Sequence, residues 1–109
     1  MNDDELSRTL TTAVRAVPGV VAVHPPRPIA HAAAELAAAA FSLRGPDALV
    51  DVQRHGTALR IVTGIAVADE RPATDTVREV GERLRDVVDG IDGTRADVID
   101  VRVRLVEGA

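Results

Sequence analysis

The sequence predicts a small α+β domain: a three- to four-stranded sheet with helices packed on one face, in the order α-β-α-β-β-α-β. Three observations predict it. Three segments carry apolar or alanine residues at helical spacing. Four others carry the runs or alternations of strands. Most Pro and Gly residues fall between these segments. The chain has 109 residues, which fits one domain spanning 1–109 and is long enough to bury about two thirds of its unfolded surface.

Residues 3–17 read as a helix. Leu6, Leu10, Val14 and Val17 fall on one stripe, Asn2 or Asp3 can cap the start, and Asp3, Asp4 and Glu5 suit the positive end of the helix dipole. Pro18-Gly19 stops it, and Val20 to Val23 reads as a short strand. Pro25, Pro26 and Pro28 make an extended connector into an Ala-rich segment, where Ile29, Ala33, Leu36, Ala40 and Leu43 form a thin helical stripe. Leu49 to Gln53 alternates as a strand. Arg54-His55-Gly56-Thr57 reads as a hairpin turn, with Gly56 supplying a positive φ. Ala58 to Ala68 is a longer strand with Leu59, Ile61, Ile65 and Val67 on one face. Its other face, after Arg60, is small and apolar: Val62, Gly64 and Ala66. A strand apolar on both sides is often covered on both sides. Residues 73–89 read as a helix opened near Pro72, with Val77, Val80, Leu84 and Val87 or Val88 inward and Glu79–Arg83 and Glu82–Arg85 as expected surface pairs. Gly90 to Gly93 closes it. Val98 to Val106 is the last strand, with Val101, Val103 and Leu105 expected on one face and Asp100, Arg102 and Arg104 on the other.

Composition narrows the function. There is no Cys, so no disulfide, thiolate nucleophile or sulfur-ligated metal is available. There is no Lys, so lysine Schiff-base chemistry is absent, and all 13 basic residues are Arg, the mark of a GC-rich coding sequence. Phe41 is the single aromatic residue, which counts against stacking on nucleotide bases. A net charge of −4 argues against nucleic acid and anionic lipid as direct partners. No apolar run is long enough to insert into a membrane, and the N-terminus is acidic where a signal peptide is basic, so a cytoplasmic protein is expected.

The order of these pieces resembles the alkaline shock protein family, the envelope-stress-response proteins of Gram-positive bacteria. The pieces are the opening helix running into Val17-Pro18-Gly19-Val20-Val21-Ala22-Val23, then Ala48-Leu49-Val50-Asp51-Val52 with its hairpin and long apolar strand. The helix at 73–89 and the closing Val98-Ile99-Asp100-Val101-Arg102-Val103 complete the set. The linker is Pro- and Ala-rich where the family is Gly-rich, Asp100 stands where Asn is usual, and the loop at 69–73 is longer. The resemblance implies a non-enzymatic protein without cofactor, which assembles with itself and is held near the membrane by a separate anchored protein. It brings no catalytic residues.

The residues themselves offer few sites. His31 and Glu35 are one helical turn apart, but one ligand pair falls short of a tetrahedral metal site, and His24 and His55 read as ordinary polar positions. Asp69, Glu70, Asp89 and Asp92 come with no nucleophile–base set, so they read as solvated loop residues. Gly90-x-x-Gly93 follows a helix where a phosphate cradle would open one, and its acidic neighbours would repel a nucleic-acid backbone. The best candidate surface is an interface on the sheet face formed by Arg60, Val62, Gly64, Ala66, Arg102 and Arg104, since Arg is enriched at protein contacts. Two other readings stand beside the self-associating scaffold. One is a small-molecule- or metal-binding domain of ferredoxin-like topology, and the other is a ring-forming module of a larger machine.

Overall fold

The computed structural model of the protein describes residues 2–25, 47–91 and 93–108. Helix α1 runs Asp3–Arg15. Asn2 caps it, its Oδ1 accepting the Glu5 N–H at 2.8 Å, and three acids occupy the first turn. Leu6, Leu10 and Val14 are buried as the stripe requires, and Val17 is buried just past the helix end. Gly19 turns the chain with φ +94, and a Cβ there would meet Thr76 Oγ1 at 2.8 Å.

Strand β1 follows at Val20–His24. The helix expected over 29–43, with His31 and Glu35, lies outside the described residues. Strand β2 spans Asp51–His55 and β3 Ala58–Ala68. β2 therefore extends two residues beyond the expected strand and takes in Arg54 and His55. Only Gly56 and Thr57 remain as the loop, because His55 still pairs with Ala58. Gly56 has φ +63, and among the described residues no non-glycine residue has a positive φ, the pattern of a type II′ turn. Helix α2 spans Ala73–Asp89, and β4 runs Arg95–Glu107, starting three residues before the expected Val98. Gly90 closes α2 in a right-handed conformation, and the left-handed position falls to Gly93 at φ +79.

β3 is the spine of the sheet. β1 and β2 both pair antiparallel with it, β1 along Gly64–Val67 and β2 along Ala58–Val62, so they lie end to end on one side. β4 pairs parallel with β3 along its whole length on the other side. Both helices cover one sheet face. Leu6, Leu10 and Val14 of α1 and Val80, Leu84 and Val88 of α2 share a core with Leu59, Ile61, Ile65 and Val67 of β3. The molecule is thus an α+β fold with a four-stranded sheet among the described residues.

Polar ties fix the layers. The Ser7 hydroxyl donates to the Val50 carbonyl, and the Thr11 hydroxyl donates to the Ser7 carbonyl and accepts the N–H groups of Leu49 and Val50. Arg54 reaches Asp3 at 2.8 Å, tying the hairpin to the start of α1. Arg71 donates to the Pro18 carbonyl and pairs with Glu79 at 3.3 Å. Glu79 is therefore held by Arg71 and not by Arg83 as expected, and Glu82 and Arg85 form no ion pair among the described residues.

Candidate interaction surface

The register of β3 and β4 places the six expected interface residues. Leu59, Ile61, Ile65 and Val67 point into the helix-covered core, so Arg60, Val62, Gly64 and Ala66 share the second sheet face. Arg102 stands level with Gly64 on that face. Arg104 packs there too, with its Nε 3.1 Å from where a Gly64 Cβ would lie. The six residues are brought together, and they differ in access. Arg60 and Arg102 are exposed, whereas Val62 and Ala66 are 6% and 1% exposed. Arg104 is half-buried, and its Nε has no hydrogen-bond partner among the described residues.

Arg102 donates to Asp100 Oδ2 through Nη2 at 2.9 Å and through Nε at 3.1 Å. That hydrogen bond, and then the charge of the carboxylate, raise the guanidinium pKa above its ordinary value, so Arg102 stays charged at any working pH.

Sequence reasoning missed the edge of the sheet. Among the described residues nothing pairs with the outer side of β4, which is 13 residues long. It exposes Val98, Val103, Leu105 and Val106, each between 40% and 52% accessible. The pairing with β3 slips between Leu59 and Arg60 and again between Ile65 and Ala66, leaving Asp97 and Arg104 as extra residues. The second slip corrects one expectation. Leu105 stands level with Ala66 on the second face, and Val106 takes the place level with Val67 that alternation would give to Leu105. Between α2 and β4 lies an open groove of about 580 Å³, lined by Val77, Gly81 and Arg85 and by Ile99 and Val101.

Other candidates stay apart. His24 ends β1 half-buried and His55 is exposed at the hairpin. Among the described residues no three of His, Cys, Asp and Glu stand close enough to hold a metal ion. Among them, too, no helix is long and apolar enough to cross a membrane.

The fold and this surface define the class: an α+β domain with a helix-covered sheet and, among the described residues, one long open edge. No protein-family model matches the chain, and none of the curated proteins does. Solved structures do. A variant of the MamM CTD aligns over 97% of this chain and 100% of its own, with a TM-score of 0.54 and 17% identity. The copper form of another MamM CTD variant gives the same values. The cadmium form of a further variant covers 94% of this chain and 95% of its own, at a TM-score of 0.51 and 18% identity. At these identities the likeness is one of fold.

Proposed function

We propose that this chain is a non-catalytic assembly domain that associates with itself and, as an assembly, binds other proteins. One observation carries the reading: β4 is a long edge strand whose outer side has no strand beside it among the described residues, and it displays four large apolar side chains. Natural sheets shorten, bend or cover such edges, because an open edge is a template for another strand. Within this reading a membrane-anchored protein is one of the partners, which would place a cytoplasmic domain at the membrane surface. The resemblance to the alkaline shock proteins supports that part. Sedimentation velocity over a concentration series tests the reading, and assembly that grows with concentration is expected. A monomer at every concentration would sink it. Pull-down from a membrane fraction with the assembled protein then seeks the anchor.

A second reading, a metal-binding domain, is favoured by one observation: solved structures of similar fold include a copper form and a cadmium form. A metal that binds only the folded state raises the melting temperature by mass action. On this reading copper, zinc or cadmium shifts the transition upward at sub-millimolar concentration, and an unmoved transition dismisses it.

A further inference from the structure

β4 carries a charge pattern that fits one occupant of its open edge. Its charged residues are Arg95, Asp97, Asp100, Arg102, Arg104 and Glu107. We propose that β4 pairs antiparallel with β4 of a second copy of this chain, about a two-fold axis at Val101, joining two four-stranded sheets into one. The proposal rests on the self-association reading above and adds the strand, the register and the partner.

A two-fold contact must be self-complementary: where residue i meets j, j also meets i. Centred on Val101, the pairing sets Asp100 opposite the second copy's Arg102 and Arg95 opposite its Glu107, and symmetry makes each pair twice. Both partners of each pair lie on the second sheet face, since Asp100 and Arg102 are level with Val62 and Gly64, and Arg95 and Glu107 with Ala58 and Ala68. On the helix side Ile99 meets Val103 and Ala96 meets Val106. Faces agree at these pairs because the two register slips, at Asp97 and Arg104, sit almost symmetrically about Val101. No like charges meet.

Neighbouring registers fail. Sliding one strand by two residues sets Asp100 against Asp100 in one direction and Arg102 against Arg102 in the other. Sliding it by one residue pairs side chains from opposite faces. An edge blunted against pairing would carry charges that clash in every register, and here one register matches them. Arg95 and Glu107 have no ion-pair partner among the described residues, so the contact would provide one. On the helix side, the second copy's Val103 would stand beside Ile99, which lines the groove between α2 and β4. The groove has room there: nothing lies within 4 Å of where a Gly81 Cβ would be.

The test uses the full chain. Asp100→Arg and Arg102→Asp each set like charges opposite one another in a homodimer, and each should weaken association about tenfold or more. An equimolar mixture of the two variants sets opposite charges together and should regain the affinity, which also shows that both variants are folded. Separately, Val101→Cys introduces the single thiol of a chain that has no Cys. Directly opposed Cβ atoms in a sheet lie about 4.5–5.5 Å apart, close to disulfide reach, so mild oxidation should give a covalent dimer. Gln53→Cys, exposed on β2, should not. If the native chain associates while the charge variants are unaffected and Val101→Cys stays uncrosslinked, the β4 pairing is overturned and self-association stands. If the native chain is monomeric throughout, both fall.

Discussion

Thr11 and Thr63 are both fully buried, and their hydroxyls have opposite fates. Thr11 Oγ1 accepts from the backbone of Leu49 and Val50 and donates to Ser7, so it joins α1 to the segment entering β2. Thr63 Oγ1, in the middle of β3, has no partner among the described residues. Removing a hydroxyl that satisfies buried backbone groups leaves those groups bare, whereas removing an orphan loses nothing and spares a desolvation penalty. Thr11→Val is therefore expected to destabilise by about 1–3 kcal/mol, and Thr63→Val to be neutral or to stabilise by up to about 1 kcal/mol. Urea denaturation of the two variants checks the contrast, and equal losses would contradict it. The sequence could not separate these residues, because the groups that Thr11 serves lie 38 and 39 positions away. The apolar positions were legible because Leu6, Leu10 and Val14, like Leu59, Ile61, Ile65 and Val67, carry the period of their own element.

At the scale of elements, α2 contains a glycine that its fold does not require. Gly81 lies inside the helix with open space around its missing Cβ. Gly81→Ala should raise stability by about 0.5–1 kcal/mol through helix propensity, read as a higher denaturant midpoint at unchanged slope. In the other helix Asn2→Ala removes the cap of α1 and should cost about 1 kcal/mol. The bounds of α1 and α2 read from caps and stops came within two residues of those observed, because capping is local chemistry. Strand faces were less secure. Alternation counts two residues per period, so the extra residue at Arg104 resets the phase and moves Leu105 to the second face. The candidate face shows the same division. Alternation put Arg60, Val62, Gly64, Ala66, Arg102 and Arg104 together, but it carries no information on access, and Val62 and Ala66 are already covered. That β4 forms an edge among the described residues depends on pairing across the whole sheet, which no local pattern encodes.

For the whole molecule, the proposed pairing sets two electrostatic effects against each other. Each copy carries a net charge of −4, so two copies repel at long range. The four ion pairs across β4 attract at contact distance. Salt separates the two by range, since the screening length is about 10 Å at 0.1 M and about 3 Å at 1 M. Added salt should first relieve the long-range repulsion while the contact pairs persist, and then, toward molar salt, weaken the pairs themselves. Dimer affinity is therefore expected to rise, pass through a maximum and fall as sodium chloride is raised from about 0.01 M to 1 M. Sedimentation equilibrium across that range measures it. Affinity that climbs without a maximum would mean that apolar contact alone holds the copies, with the charges of β4 only tolerated. The Arg102→Asp variant gives the internal comparison. Its two contacts between Asp100 and the substituted position repel as its net charge does, and only the Arg95–Glu107 pairs still attract. Its affinity should therefore be lower at low salt and climb further with salt before it turns over than the native affinity does.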